Sequence, residues 1–259
     1  MRDNRRSWGK RLAAVTQVLL LTAQAAGSSQ PSAQTVPGIV GRDDRRALPY
    51  DSGWPWIAIG RVNRAGGGFC TGTLIDADRV LTAAHCLWNR RRGAMLPVEQ
   101  LHFVPGWWRG QYRAHATAAR ILTDPALAFD ATGKPRDPAT DWAVLVLDRR
   151  AMRGQWPQPV PLAAPAPVEA GMTLSRAGYG RDRPHALSRQ DGCHALGLAN
   201  ADRLLVHDCD ATFGDSGSPV LVGQAGGYAI LGIHISMVEH GGRMAGAAVL
   251  VTPGMAAAR

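Results

Sequence analysis

The chain has 259 residues, of which 46% are hydrophobic and 19% charged, with 30 glycines, 17 prolines and a formal charge of +9. This composition excludes a disordered polyelectrolyte and a coiled coil, and its turn-rich, charge-poor balance favours many short strands over long helices. The length fits one large domain or two small ones. The positive charge raises the question of an anionic partner.

Residues 1–25 have the composition of a secretory signal peptide. Five basic residues and one acidic residue fall within the first eleven positions, and a short apolar run with an Ala23-Gln24-Ala25 motif follows. The run is shorter and more polar than the ~20 apolar residues that a membrane-spanning helix needs. An amphipathic surface helix is the alternative, but a sustained 3.6-residue period is missing. We therefore predict secretion or periplasmic export, without stable membrane insertion after cleavage.

Removal of residues 1–25 leaves a charge of about +5, so much of the basicity belongs to the export signal. The remaining basic cluster, Arg90-Arg91-Arg92, lies in a glycine-containing segment that is typical of a solvated loop. A nucleic-acid-binding motif is not found, and we predict no nucleic-acid partner.

Beyond a Ser/Gln/Pro-rich spacer over 26–38, short apolar runs alternate with turn-forming residues, which is typical of strands. The predicted strands are 56–62, 69–75, 79–81, 142–147, 172–179, 204–207, 219–222, 228–235 and 247–251. Segments 88–115 and 124–140 are interpreted as long surface loops, and the Ala/Pro-rich segment 157–167 as a linker. The prediction is an all-β protein with an N-terminal half over 39–156 and a C-terminal half over 157–259.

The most specific motif is Gly-Asp-Ser-Gly-Ser-Pro at 214–219. Glycines on both sides of Ser216 leave its hydroxyl open to a substrate. The backbone N–H groups of Gly214 and Ser216 can point together at a developing oxyanion. Taken alone, this segment is equally compatible with an ordinary Gly/Ser turn.

Two further motifs carry a candidate base and a candidate carboxylate. His85 follows an apolar run in Thr-Ala-Ala-His-Cys, and Asp141 leads into the apolar run Trp-Ala-Val-Leu-Val-Leu. A lone histidine or aspartate in such a place is more often structural. In combination, however, the chain order His85, Asp141, Ser216 is that of the chymotrypsin triad, whereas nucleophile-elbow hydrolases place serine first.

These three motifs resemble those of trypsin-like (chymotrypsin-fold) serine endopeptidases, above all the bacterial secreted branch that includes glutamyl endopeptidases. The resemblance covers roughly 39–251 and implies two antiparallel six-stranded β-barrels with the active site in the cleft between them. It implies that Ser216 is the nucleophile, that His85 is the general base and then acid, and that Asp141 orients His85. Gly214 and Ser216 would form the oxyanion hole. The implied partner is a protein or peptide substrate, acted on by a monomer without metal or other cofactor.

The four cysteines form two pairs with equal spacing, Cys70 with Cys86 and Cys193 with Cys209. The first pair matches the bridge that holds the histidine loop in the family, and the second resembles the pattern of the bacterial branch. Export makes disulfides favourable. A zinc site is the alternative, but neither C-x-x-C nor H-E-x-x-H spacing occurs in the sequence.

The resemblance also implies activation by cleavage. In the family, a newly exposed N-terminal Ile or Val pairs with the aspartate that precedes the nucleophile, and here these residues are Ile39 and Asp215. Gly38, rather than Lys or Arg, precedes Ile39. We therefore predict a zymogen that is cut at Gly38–Ile39 by a separate activating protease.

The specificity signals disagree with one another. Asp210 stands six residues before Ser216, where trypsins place the acid that binds Lys or Arg. His234 lies in a Gly-Ile-His motif that resembles glutamyl endopeptidases, in which the histidine contacts an acidic side chain. An Asp210–His234 pair would neutralise both signals, and Met237 replaces a glycine at the pocket entrance. A basic residue before the scissile bond is the slightly favoured prediction.

Two functions follow from the sequence. The first is a secreted endopeptidase that uses His85, Asp141 and Ser216. The second is a non-catalytic protease homologue that uses the same scaffold as a binding module. Retention of all three residues and of Gly214 favours the enzyme.

Overall fold

The computed structural model describes residues 36–257, all within one compact unit. The predicted signal peptide and most of the predicted spacer lie outside these residues. Within the described part, no helix is long and apolar enough to cross a membrane.

Sixteen strands provide most of the regular secondary structure of the described chain. In chain order they are β1 (Arg46–Ala47), β2 (Ile59–Arg64), β3 (Phe69–Asp76), β4 (Arg79–Thr82), β5 (Trp88–Asn89), β6 (Ala94–Met95), β7 (Leu101–Pro105), β8 (Ala114–Thr123), β9 (Ala143–Leu147), β10 (Arg153–Gly154), β11 (Thr173–Gly178), β12 (Ser188–Ala199), β13 (Leu204–His207), β14 (Pro219–Gln224), β15 (Gly227–His240) and β16 (Arg243–Leu250). Short 3-10 turns cover Trp56–Ala58, Ala84–Leu87, Val98–Gln100 and Pro138–Thr140, and α1 is Pro253–Ala257.

The strands close into two antiparallel six-stranded barrels, which confirms the predicted fold class. The first barrel runs β8-β7-β2-β3-β4-β9 and is closed by the pairing of β8 with β9. The second runs β12-β11-β14-β15-β16-β13 and is closed by the pairing of β12 with β13. Closure leaves neither barrel with an open edge that could pair with another chain.

Short strands extend each barrel. β10 pairs with β8 of the first barrel, and β1 pairs with β12 of the second. β1 falls in the segment assigned from the sequence to the N-terminal half, yet it is bonded to the C-terminal barrel. The first barrel itself uses strands between 59 and 147 only. The domain boundaries at 39–156 and 157–259 stay a prediction.

Three of the twelve barrel strands, β7, β8 and β12, were not anticipated from the sequence, nor were the four two-residue strands. The expectation of a loop over 88–115 is wrong. β7 lies inside that segment, where Leu101 and Phe103 are fully buried. β8 is rich in alanine and β12 in polar residues and glycine, so neither has the β-branched composition that marks a strand. Closure of the two barrels, rather than local propensity, selects the extended conformation there.

Candidate active site

A buried carboxylate holds His85 at one end of the first barrel. β4 and β9 are neighbours with Thr82 opposite Ala143, so the residues that follow β4 meet those that precede β9. His85 Nδ1 lies 2.7 Å from Asp141 Oδ2, and the His85 backbone N–H donates to Asp141 Oδ1 at 2.9 Å. Asp141 is 4% exposed. These contacts satisfy the buried carboxylate and favour the tautomer whose Nε2 can accept a proton.

Ser216 stands on a loop whose backbone only glycine permits. Gly214 and Gly217 have φ angles of +99° and +82°, in the left-handed region. A Cβ atom on Gly214 would lie 2.6 Å from the carbonyl oxygen of Tyr179, and one on Gly217 would collide with the carbonyl of Thr71. The two glycines of the sequence motif are therefore required by close backbone approach as well as by φ.

The loop is fixed between strands of the two barrels. On one side the Thr71 N–H of β3 donates to the Ser216 carbonyl at 2.9 Å. On the other side the Gly217 N–H donates to the His234 carbonyl of β15 at 2.7 Å. Ser216 itself is half-buried. The position of Ser216 is thus set by backbone hydrogen bonds to both barrels.

Two backbone donors, the N–H groups of Gly214 and Ser216, have no acceptor among the described residues. Among residues 36–257, neither the Gly214 N–H nor the Ser216 N–H donates a hydrogen bond, whereas the intervening Asp215 N–H donates to the Thr212 carbonyl at 3.0 Å. Unpaired backbone donors are costly unless water or a ligand satisfies them. The pair has the character of an oxyanion site.

Both predicted disulfides are present. Cys70–Cys86 and Cys193–Cys209 each join residues sixteen positions apart. The sulfur of Cys86 lies 3.8 Å from His85 Nε2 and 3.8 Å from the Ser216 carbonyl oxygen. The first disulfide therefore bonds the turn that carries His85 to β3. It lies between His85 and the Ser216 loop.

The candidate metal-ligand groups of the described residues are built on these same cysteines. They are Cys70 with His85 and Cys86, and Cys193 with Asp208 and Cys209. A cysteine binds a metal ion as its thiolate, and a disulfide sulfur supplies no thiolate.

Asp215 is neutralised by a buried arginine that the sequence reasoning missed. Both Arg176 and Asp215 are fully buried, and Arg176 Nη1 lies 2.9 Å from Asp215 Oδ1. Asp215 Oδ2 accepts the Thr212 N–H at 2.8 Å and lies 3.9 Å from Nη1 of buried Arg45. Arg176 also donates to the hydroxyl of Ser218 at 2.9 Å. Arg176 is the one charged residue of β11, which signals a buried partner of opposite charge but does not identify Asp215.

The predicted pairing of Ile39 with Asp215 is not formed in the uncleaved chain. The Ile39 N–H donates to the Val36 carbonyl at 3.2 Å, within a turn. The carboxylate of Asp215 meanwhile has Arg176 and Arg45 as its cationic neighbours. An ammonium group freed at Ile39 would enter a site that already holds positive charge.

Asp210 is held by the N-terminal segment. Its side chain is fully buried, Oδ1 accepts the Val40 N–H at 2.7 Å, and Oδ2 has no hydrogen-bond partner among the described residues. Burial raises the pKa of Asp210. Gly38 accepts the Ala211 N–H at 2.9 Å, and a Cβ atom on Gly38 would lie 3.5 Å from Met237 Cγ. Segment 36–40 thus lies against two of the predicted specificity residues.

His234 has a second buried histidine as its partner, not Asp210. His234 Nδ1 lies 3.3 Å from His207 Nε2, and the Cys209 N–H donates to His207 Nδ1 at 3.2 Å. Burial, together with the Arg176 charge, lowers the pKa of His207 to about 3. Burial and the nearby His207, Arg176 and His85 also lower the pKa of His234.

The hydrogen bonds of this pair assign its protons. Because His207 Nδ1 accepts, its Nε2 carries the hydrogen and donates to His234 Nδ1, which leaves the hydrogen of His234 on Nε2. The pair is therefore neutral at neutral pH and does not cancel the charge of Asp210. The sequence reasoning missed His207, because a single histidine in a strand carries no signal of a partner 27 positions away.

Comparison with known proteins gives one family model, several related sequences and a similar solved structure. The family model described as Trypsin matches residues 45–253. Human Serine protease 56 is 29% identical over 77% of this chain, and pig (Sus scrofa) azurocidin is 31% identical over 64% of it. The matches span 34% and 61% of those two proteins. A solved structure of a Glu endopeptidase in complex with MPD superposes with a TM-score of 0.67 at 20% identity, covering 85% of this chain and 96% of that one.

Proposed function

Because the chain belongs to the trypsin family, we propose that it is a secreted serine endopeptidase that cleaves peptide bonds through an acyl-enzyme on Ser216. The observation that carries this proposal is the hydrogen-bonded pair of His85 and Asp141, 2.7 Å apart. The His85–Asp141 pair adjoins the Ser216 loop, in which the N–H groups of Gly214 and Ser216 have no acceptor among the described residues. A general base, a nucleophilic hydroxyl and an oxyanion site are the three parts that acyl transfer needs.

In the proposed mechanism, Ser216 Oγ attacks the substrate carbonyl carbon while its proton passes to His85 Nε2. Asp141 stabilises the imidazolium, and the Gly214 and Ser216 N–H groups donate to the oxyanion. Collapse of this intermediate breaks the C–N bond, and His85 gives its proton to the leaving amine. A water molecule then attacks the ester with His85 again as base, which releases the acid and restores Ser216.

For specificity, we propose a basic residue before the scissile bond. Asp210 Oδ2 is a buried acceptor without a partner, whereas His207 and His234 are neutral and bonded to each other. A Lys or Arg side chain would supply the missing donor. Since burial raises the pKa of Asp210, cleavage after basic residues should decline on the acid side at a pH above the ordinary aspartate range. Profiling with peptides that vary only at this position tests the proposal, and preference for Glu would contradict it.

The proposed nucleophile is tested by labelling with a fluorophosphonate. We expect the processed protein to label and Ser216→Ala to lose all labelling. The matched control is Ser52→Ala, which removes a hydroxyl from an exposed turn and should label normally. Labelling that persists in Ser216→Ala would refute the assignment. A processed wild-type protein that neither labels nor cleaves peptides would instead be a non-catalytic homologue with a binding role.

The proposal includes export through the predicted signal peptide and cleavage at Gly38–Ile39 by another protease. Two buried or half-buried disulfides suit an extracellular or periplasmic environment. N-terminal sequencing of the active, exported protein should begin at Ile39. An active form that starts at residue 26 would show instead that the Arg176 partnership alone suffices to hold Asp215 and the oxyanion loop.

A further inference from the structure

Several arginines near the nucleophile loop have no acidic partner. Within residues 36–257, no carboxylate lies within 4.0 Å of the guanidinium of Arg61, Arg64 or Arg181, whereas buried Arg45 and Arg176 are both ion-paired. The Nε of Arg64 is also buried without a hydrogen-bond partner. Burial and the positive charges of Arg181 and Arg90 lower the pKa of Arg64. Uncompensated cations that repel one another are a cost to the fold, which an anionic ligand would relieve.

These side chains lead away from the oxyanion site in a continuous row. A Cβ atom on Gly214 would lie 2.9 Å from the Phe69 ring, and the Arg61 guanidinium covers that ring at 3.9 Å from its centroid. The same guanidinium lies 4.9 Å from the Trp107 ring centroid. Aromatic contacts of this kind hold an arginine in place without neutralising its charge.

Arg181 flanks the other side of the oxyanion residue. Its backbone N–H donates to the Phe213 carbonyl at 2.6 Å, next to Gly214. Its side chain is exposed, with the guanidinium 5.9 Å from the Phe213 ring centroid. Phe213 is 70% exposed, an unusual state for a large apolar side chain beside a catalytic loop.

The row lies on the side of the nucleophile loop that the leaving group would occupy. The loop is bonded to β15 on one side and to β3 on the other, through His234 and Thr71. Under the proposed function, the residue before the scissile bond is bound on the β15 side, against Asp210 and Met237. The residues after the scissile bond then extend along the β3 side.

A cavity of about 330 Å³ continues the row beyond Trp107. Its polar lining includes Arg64, Asn63, His102 and His115, and no acidic side chain lines it. His102 and His115 are in mutual contact, with Nδ1 of the first 3.0 Å from Nε2 of the second. The cavity therefore offers hydrogen-bond donors to a carboxylate and places no like charge against it.

We propose that this basic face, made of Arg61, Arg64 and Arg181, selects substrates with acidic side chains in the two or three positions after the scissile bond. The inference rests on the proposed endopeptidase function. Arg181 is placed to meet the position nearest the scissile bond, Arg61 the following one, and Arg64 with the cavity the most distant. Carboxylate–guanidinium bonds at partly exposed sites change affinity by about three- to tenfold each.

The test is digestion of a proteome-derived peptide library by the active, exported protein. Cleavage sites are read by mass spectrometry, which reports the residues on both sides of each cut, whichever residue precedes the cut. We expect enrichment of Asp and Glu at the first three positions after the cut. C-terminally amidated Glu and Gln pairs of single peptides then give the ratio of kcat/KM, which should be about three- to tenfold and should fall as salt is added.

Variants assign the preference to this face. Arg181→Glu should reverse the preference toward Lys at the affected position, and Arg61→Gln should lower the Glu/Gln ratio, with Arg61→Lys restoring part of it. Arg149→Gln is the matched control, because Arg149 is an exposed arginine paired with Asp78. Arg181 is exposed, so Arg181→Glu keeps the test valid even if Arg61→Gln fails to fold.

The outcomes separate this inference from the proposed function. If Ser216 labels and peptides are cut with equal efficiency whether Glu, Gln or Lys occupies these positions, the inference is wrong and the endopeptidase assignment stands. A preference for acidic residues that survives in both Arg181→Glu and Arg61→Gln would also overturn it. If no peptide is cut and Ser216 does not label, the proposed function fails first.

Discussion

The two barrels place polar groups in opposite ways. The first barrel buries threonines among its apolar side chains, and of its Asp, Glu, Lys, Arg and His side chains in the described chain only Asp141 is buried. The second barrel and the segment that pairs with it bury six Asp, Arg or His side chains. They are Arg45, Arg176, His207, Asp210, Asp215 and His234.

The two barrels should therefore differ in how their stability depends on charge and pH. Burial of apolar side chains stabilises a barrel at any pH, whereas buried charges cost desolvation and hold only while their partners are present. The first barrel presents His85 on a support that is nearly free of buried charge. The second barrel holds the Ser216 loop through the Arg176–Asp215 ion pair and through the His234 carbonyl, and its stability should depend on charge and pH.

The largest expected effect is a loss of activity on substitution of Asp141, which lies in the first barrel. Asp141→Asn keeps the shape of the side chain but removes the charge that holds His85 in its reactive tautomer. We expect kcat to fall by about 10⁴-fold with little change in Tm. Measurement of kcat on a cleaved peptide checks this, with Asp148→Asn on a surface turn as control. A loss below tenfold would mean that Asp141 is structural only.

The next largest effect is a loss of stability on substitution of Arg176, which lies in the second barrel. Arg176→Met leaves Asp215 buried without its closest cation, and we expect the free energy of unfolding to fall by about 3–5 kcal/mol. Denaturant unfolding measures the loss. The double variant Arg176→Met/Asp215→Asn should recover part of it, because no unpaired charge remains. Equal losses in the single and double variants would contradict an electrostatic cause.

The two disulfides sharpen the comparison, since each barrel carries one and both close loops of the same length. The chain-entropy model gives about 3 kcal/mol for each. Cys70→Ala/Cys86→Ala and Cys193→Ala/Cys209→Ala should therefore lower the free energy of unfolding by similar amounts, and each variant is the control of the other. A clearly larger loss for the second pair would show that the ionic core of that barrel amplifies local loosening.

The smallest effect appears as a pH slope. His207 has a folded-state pKa of about 3, below the ordinary histidine value of 6.5, so the unfolded chain binds more protons between these values. The stability that His207 contributes is then fully present above pH 6.5 and is lost as pH decreases toward 3, by about 1.4 kcal/mol per pH unit. His207→Gln should flatten this slope, and His240→Gln, at an exposed site outside the described ion pairs, is the control. An identical slope in all three proteins would refute the assignment.

The sequence was sufficient where function and fold share short contiguous motifs. The stretches around His85, Asp141 and Ser216 each lie at a strand end, so their spacing and order carried the family, the fold and both disulfides. It was insufficient where partners come from distant strands. Nothing local marks Arg176 as the partner of Asp215 or His207 as the partner of His234, because both contacts arise only when β11, β13 and β15 close into one barrel.

During translation, β1 is synthesised long before β12, the strand with which it pairs. Arg46 stands opposite Arg189 of β12, and Val40 is bonded to Asp210, 170 positions later. The first barrel needs only strands between 59 and 147 and can close as the chain emerges. The segment over 36–47 must wait until Asp210 has been made, so it is tied down only after all strands of the first barrel have been synthesised. The start of the described chain is therefore held by the second barrel and not by the barrel that follows it in the sequence.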